Sequence, residues 1–157
     1  MAAYRESKRI ALVTEAKVSV LSELLLRHRT DRTLIFTAEN EMVYRLSEQF
    51  CIPAITHETG IKERRQWLEA FNRGEVLALA TSKVLNEGVN IPEAAVAIIL
   101  SGSGSTREHI QRLGRILRKQ PDKEAVLYEV VTAETTEEFI SQRRSEPQAF
   151  QRGDGQI

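Results

Sequence analysis

The stretch 111–118 reads Gln-Arg-Leu-Gly-Arg-Ile-Leu-Arg, and Lys119 follows it, so that four cations crowd into about two helical turns. Side chains of like charge repel one another, so such a cluster is either a well-solvated basic face or an anion-binding site. Arginine keeps its charge at every relevant pH, and its planar guanidinium matches the oxygens of a phosphate. Gly114 lies between two of the arginines and permits close approach of a neighbouring backbone. The stretch therefore predicts phosphate binding, with a solvated basic face as the alternative.

The same stretch carries the periodicity of a helix. Ser105 and Glu108 have the spacing of a capping box, after a Gly/Ser loop at residues 101–105. Ile110, Leu113 and Leu117 recur at helical spacing and predict a buried stripe. The polar side chains fall largely on the other side of this predicted helix: Gln111, Arg112, Arg115, Arg118 and Lys119.

Length and composition indicate one globular domain. The chain has 157 residues, of which 41% are hydrophobic and 28% charged. Lysine plus arginine equals aspartate plus glutamate at 22 each, so nucleic-acid binding would have to come from local clusters and not from a basic excess. The single cysteine, Cys51, excludes an intrachain disulfide and indicates a reducing compartment. No apolar run approaches about 18 residues and the first residues do not resemble a signal peptide. We expect an intracellular protein, nucleoid-associated in the cytoplasm if prokaryotic, without membrane partners.

Short apolar runs alternate with amphipathic stretches along the chain. Continuous apolar runs predict buried strands at residues 34–37, 54–56, 76–80, 96–100 and 125–131. Helical periodicity predicts helices at residues 15–29, 41–50, 62–72 and 135–144. Residues 10–13 suit either a short strand or a lead-in. The alternation predicts an α/β fold with a mainly parallel sheet covered by helices on both faces, whose polar loops collect at the carboxyl ends of the strands.

Three of these segments, taken in order, resemble the motifs of superfamily 2 helicases. Residues 34–37 match motif IV, residues 81–92 match motif V, and residues 111–118 match motif VI. From about residue 33 to residue 144, the chain resembles the second, C-terminal RecA-like domain of these enzymes, most closely the XPB type. The resemblance implies a RecA-like three-layer α/β/α sandwich over residues 33–146, after a lead-in and amphipathic helix at 1–32. Residues 147–157 are expected to be a disordered tail.

The resemblance also assigns roles at a nucleotide. Arg115 and Arg118 would reach across a cleft to the γ-phosphate of ATP, as an arginine finger that stabilises charge in phosphoryl transfer. Gln111 would lie near the phosphates or the attacking water. Gly88 and Asn90 would line the nucleotide on this side, with Asn90 at a position where the family more often has aspartate.

A second group of residues would contact the nucleic-acid backbone. Its members are Thr37, Thr59, Thr81, Ser82 and the cation of Lys83. Hydroxyl and backbone N–H groups at loop ends suit phosphate contacts that position a nucleic acid without reading its sequence. The alternative for each hydroxyl is ordinary turn and capping chemistry.

The chain contains neither a phosphate-binding loop nor the carboxylate pair that holds magnesium in such enzymes. No glycine is followed by lysine, and no aspartate is followed by glutamate. ATP with Mg²⁺ is therefore expected to be bound mainly by a first, N-terminal RecA-like domain, and the chain alone is expected not to hydrolyse ATP. The three histidines are scattered, which predicts no metal site here. Trp67 is expected to have a packing role.

The resulting prediction is the C-terminal half of an ATP-dependent DNA helicase or translocase of the XPB type, acting in DNA repair or transcription. Its expected partners are duplex DNA, the N-terminal RecA-like domain, and a repair nuclease or transcription and repair factors. Two alternatives stay open: a non-catalytic RecA-like module that binds nucleic acid or regulates a partner, and the second domain of another superfamily 2 translocase of the restriction or remodelling type.

Overall fold

The computed structural model of the chain describes residues 2–82, 93–100, 117 and 125–130. The described elements follow one another as α1 (Ala2–Arg27), β1 (Thr33–Thr37), α2 (Asn40–Phe50), β2 (Ala54–Ile55), α3 (Ile61–Asn72), β3 (Ala78–Thr81), β4 (Val96–Leu100) and β5 (Val126–Val130). The predicted helix at 135–144 and the predicted tail at 147–157 lie outside the described residues.

The five strands form one sheet in the order β2-β3-β1-β4-β5, and every pairing is parallel. Parallel strands need crossover connections, and α2 and α3 provide them for the strands they separate. The predicted α/β class with a mainly parallel sheet is therefore confirmed.

Helices cover both faces of the sheet, as predicted. On one face α1 and α2 place Val18, Leu21 and Leu46, all buried, against Ile35 and Ile98. On the other face α3 places Leu68 and Phe71 against strand residues that alternate with the first set, Leu34, Ile55 and Leu79. Strand side chains thus point alternately into two cores, which explains why the strands read as unbroken apolar runs.

Helices α2 and α3 are each followed by a residue in the left-handed conformation. α2 ends at Cys51, which adopts a left-handed conformation with φ 52°, and its N–H donates to the carbonyl of Ser47. After α3, Gly74 has φ 74° and its N–H donates to the carbonyl of Phe71 at 3.1 Å. Left-handed residues of this kind commonly end helices, and glycine adopts that conformation without steric cost.

Two expectations differ from the structure. The first helix begins at Ala2 and runs through residues 10–13, which are therefore helical and not a strand. Leu117 forms an isolated parallel bridge with Ala94, so it is not part of a helix. Its side chain does pack inward, against the cluster of Ala97 and Ile99, as the predicted apolar stripe requires.

Candidate nucleic-acid interface

The carboxyl ends of β1, β2 and β3 meet at one edge of the sheet, which we call the carboxyl edge. Thr81 lies opposite Phe36 on one side and Ile55 on the other. One residue further along each strand, Thr37, Ser82 and Thr56 therefore follow one another across the three neighbouring strands. The sheet thus brings three hydroxyl residues from distant parts of the sequence into one row.

Thr37 and Thr81 both turn their hydroxyl protons inward. The Thr37 hydroxyl donates to the carbonyl of Glu39 at 2.8 Å, and the Thr81 hydroxyl donates to the carbonyl of Ser82 at 2.9 Å. Both side chains are buried. These hydrogen bonds are the turn and capping chemistry that the sequence left open as an alternative, and the Thr37 bond holds the loop that leaves β1.

Ser82 differs from its neighbours. Its side chain is 4% exposed, and its hydroxyl oxygen has no hydrogen-bond partner among the described residues. A buried hydroxyl without a partner is costly, so such a group indicates either a ligand or a contact with a segment outside the described residues.

The loop after β2 is held by a small hydroxyl network. The hydroxyl of Thr59 accepts the N–H of Thr56 at 2.9 Å, while the N–H of Thr59 donates to the carbonyl of Thr56 at 3.2 Å. Thr56 is fully buried, and its own hydroxyl lies 2.8 Å from the Tyr44 hydroxyl and accepts the N–H of Glu58 at 3.2 Å. Thr59 therefore shapes the loop at the carboxyl edge.

The network continues to groups that the sequence analysis did not identify. The Tyr44 hydroxyl donates to Glu58, and this hydrogen bond raises the pKa of Tyr44 above its usual range. Arg64 donates from Nη2 to the carbonyl of Thr56 at 3.1 Å, and its buried Nε has no partner among the described residues. Only tertiary contact reveals these groups, because Tyr44 and Arg64 lie on different helices and read there as ordinary surface residues.

His57, on the same loop, lies at the carboxyl edge and is exposed. Its Nδ1 is 2.7 Å from Nδ2 of Asn40, the first residue of α2. This contact joins the loops that follow β1 and β2. Trp67 is half-buried against the core that contains Leu34 and Leu68, in the packing role expected for it.

The remaining predicted site residues lie outside the described part of the chain: Lys83, Gly88, Asn90, Gln111, Arg115 and Arg118. Of the stretch 111–118, the structure describes Leu117 alone, anchored beside Ala94. Within the described ranges, no three His, Cys, Asp or Glu side chains come together as a metal-binding group, and no helix is long and apolar enough to cross a membrane.

Comparison with known families then identifies the domain, because residues 16–120 match the model of the helicase conserved C-terminal domain. The chain belongs to this family. It is also 42% identical over 92% of its length to a "DNA 3'-5' translocase XPB2" of Sulfurisphaera tokodaii, and 37% identical over 88% of its length to a "DNA 3'-5' helicase XPB" of Mycobacterium tuberculosis. The predicted likeness to the XPB type is confirmed. The chain spans 33% and 26% of the lengths of these two relatives.

Two solved structures of DEAD-box proteins contain a domain with the same fold as this chain. The C-terminal domain of the DEAD-box protein Dbp5 has a TM-score of 0.69 at 19% identity, covering 82% of this chain and 76% of that one. The yeast DEAD-box splicing factor Prp28 has a TM-score of 0.70 at 19% identity, covering 83% of this chain and 29% of that one. At this identity the likeness concerns the fold, and it confirms the predicted RecA-like architecture.

Proposed function

We propose that this chain is the second motor domain of an XPB-like, ATP-dependent DNA translocase or helicase. The observation that carries the proposal is the row Thr37, Ser82 and Thr56 at the carboxyl edge, in a domain 42% identical to a DNA translocase over 92% of the chain. Ligands of open parallel sheets bind at this edge. In this row the hydroxyl of Ser82 has no partner among the described residues, and a hydroxyl at this edge suits a sugar-phosphate backbone.

The hydroxyls divide into two roles in this proposal. Thr37 and Thr59 hold the loops after β1 and β2, and Thr81 holds the end of β3, since each forms hydrogen bonds within the domain. Ser82, whose hydroxyl has no partner within the described part of the chain, contacts a phosphate, with the charge of Lys83 following it in the sequence. Because such contacts carry no sequence information, we infer that DNA is gripped without base specificity and more weakly as salt rises.

The second part of the proposal concerns ATP. Arg115 and Arg118 complete the site of a first RecA-like domain, which binds ATP with Mg²⁺, while Gln111 lies near the phosphates and Gly88 and Asn90 line the nucleotide. ATP binding closes the two domains and hydrolysis releases them, so that alternating grip on DNA produces movement. The chain alone is then inactive as an ATPase. A repair nuclease or transcription and repair factors are the proposed protein partners.

DNA-stimulated ATP hydrolysis tests this proposal. We would compare the chain alone, a fusion to an XPB-type first RecA-like domain, and that fusion with Arg118→Ala or Lys119→Ala. We expect no activity from the chain alone, activity from the fusion, and a loss of about 100-fold or more with Arg118→Ala. Lys119→Ala removes a neighbouring cation that has no proposed contact with ATP and should retain activity.

Normal hydrolysis by the Arg118→Ala fusion would make Arg118 a surface cation and refute the arginine finger. Hydrolysis by the chain alone would require a nucleotide site other than the one proposed. A chain that binds DNA while every fusion stays silent would favour the non-catalytic binding module.

A further inference from the structure

A groove of about 860 Å³ runs along the β2 side of the sheet. Its walls are α2 and α3, which contribute Tyr44 and Trp67, and its floor includes Pro53, Leu77 and Ala78. Tyr44 and Leu77 are each 39% exposed. We call this the edge groove.

Within the described ranges, the edge groove contains a segment of β3 with which no strand pairs on this side. β2 is two residues long and pairs with β3 only at Ala80 and Thr81, so β3 extends past its neighbour at Ala78. Leu77 directs its carbonyl to the other side, where it accepts the N–H of Thr33 at 2.8 Å. Because backbone groups alternate along a strand, Ala78 directs its N–H and carbonyl into the groove. Pro53 has no N–H and cannot extend β2 to pair there.

The groove is also acidic. Glu58 accepts a hydrogen bond from Tyr44, and Glu63 accepts one from Nε1 of Trp67 at 3.4 Å. Neither carboxylate forms an ion pair with another described residue, whereas Glu75 is neutralised by Arg73 at 2.8 and 3.0 Å. Two carboxylates beside two aromatic rings attract a lysine or arginine side chain and repel the phosphates of a nucleic acid.

We propose that the edge groove binds an extended peptide segment of a partner protein, with a lysine or arginine between apolar residues, as an added strand beside Ala78. The strand supplies backbone hydrogen bonds to Ala78, its cation lies between Glu58 and Glu63, and its apolar side chains cover Leu77. This is the mode in which a sheet edge gives affinity through the main chain and selectivity through alternate side chains. The inference does not depend on the proposed motor function.

Binding of labelled seven-residue peptides to the 157-residue chain, followed by fluorescence anisotropy, tests the proposal. The probes are an alternating Val/Lys peptide, the same peptide with glutamate for lysine, and the Val/Lys peptide with alternate backbone nitrogens methylated. We expect the first to bind and the other two to bind at least about tenfold more weakly, through lost charge complementarity and lost strand pairing respectively. In NMR spectra the amide of Ala78 should shift and become protected from exchange.

Matched variants locate the site. Glu58→Gln with Glu63→Gln should weaken Val/Lys binding about tenfold, whereas Glu48→Gln, an exposed residue of α2 outside the groove lining, should leave it unchanged. Equal binding of the glutamate peptide, unchanged affinity in the double variant, or an unmoved Ala78 amide would overturn the proposal. Two further measurements test other occupants of the groove. Self-association that sedimentation velocity detects, and that the double variant loses, would assign the groove to a second copy of the chain. Displacement of the labelled peptide by single-stranded DNA, followed by anisotropy, would assign it to nucleic acid.

Discussion

His28 and Tyr128 are 100 residues apart in the sequence, yet Nε2 of His28 lies 2.9 Å from the hydroxyl of Tyr128. On the other side of the same ring, Nδ1 of His28 lies 2.9 Å from a carboxylate oxygen of Asp31. The carboxylate only accepts, so Nδ1 of His28 carries a proton and donates it to Asp31. The chain Asp31–His28–Tyr128 therefore ties the turn after α1 to the edge strand β5.

Removing the tyrosine hydroxyl should test this tie. We expect Tyr128→Phe to lower the free energy of unfolding by about 1 kcal/mol, the usual net contribution of one such hydrogen bond. Urea unfolding measures it. A double-mutant cycle with His28→Ala serves as the control: the effect of Tyr128→Phe should largely vanish once His28 is absent, and fully additive losses would contradict a direct bond.

Thr81 and Ser82 are adjacent, but loss of the hydroxyl should lower stability at Thr81 and hardly change it at Ser82. Thr81→Val removes the donor to the Ser82 carbonyl and should cost about 1–2 kcal/mol of unfolding free energy. Ser82→Ala removes a buried hydroxyl that has no partner among the residues the structure describes, and it should change stability by less than about 0.5 kcal/mol. Urea unfolding compares the two.

DNA affinity tests the phosphate contact proposed for the hydroxyl of Ser82. In the two-domain fusion at low salt, Ser82→Ala should weaken DNA binding about three- to tenfold, as expected for one lost hydrogen bond to a phosphate. Fluorescence anisotropy measures the affinity. Unchanged binding by the Ser82→Ala fusion would refute the contact proposed for this hydroxyl.

Ionisation of Tyr44 should lower the free energy of unfolding at high pH. Its hydrogen bond to Glu58 raises the pKa of the phenol, so the folded protein holds this proton to a higher pH than the unfolded chain does. The stabilisation is thus fully present below the ordinary tyrosine pKa of about 10 and is lost as pH rises through the raised value. Absorbance titration of the chain against Tyr44→Phe isolates this phenol from the other two.

The variant Glu58→Gln supplies the corresponding control, since it removes the charge while an amide oxygen can still accept the bond. The pKa of Tyr44 should move back toward its ordinary value in this variant. A Tyr44 titration that is the same in both proteins would mean that Glu58 is not the cause.

Leu117 connects the stretch 111–118 to the core. It is half-buried against Ala97 and Ile99, so Leu117→Ala should cost about 1–2 kcal/mol, less than a fully buried leucine. Leu26→Ala, on a side chain that is 67% exposed, should cost less than about 0.5 kcal/mol. In the two-domain fusion, the Leu117 variant alone should also lose DNA-stimulated ATPase activity, and retention of full activity would argue that the anchor does not position the neighbouring arginines.

The positions of the strands could be predicted closely, because a strand that is buried on both faces is a continuous run of apolar residues in the sequence. β4 has the predicted bounds, Val96–Leu100, since every one of its residues is buried. β3 begins two residues later than predicted, at Ala78. The amide of Val76 still bonds back to Ala70 in the turn after α3, a contact that an apolar run does not reveal.

For the predicted site, too, the sequence was sufficient for one part and the structure was needed for the other. Residue type and order were sufficient for the superfamily, since motif spacing is local along the chain, and the family match covers residues 16–120. The partner of each hydroxyl was not predictable, because Thr81 and Ser82 are neighbouring hydroxyl residues in the sequence. Only the structure shows that the Thr81 hydroxyl bonds to a carbonyl while that of Ser82 has no partner among the described residues.

Sequence alone therefore determined the α/β class, the parallel sheet, the two buried faces and the loops that collect at the carboxyl edge. These follow from hydrophobic periodicity, which each segment carries by itself. Tertiary structure alone decided the strand order β2-β3-β1-β4-β5, the row of Thr37, Ser82 and Thr56, and the open edge at Ala78. The physical reason is that hydrogen bonds are short and directional, so their partners depend on how distant segments pack.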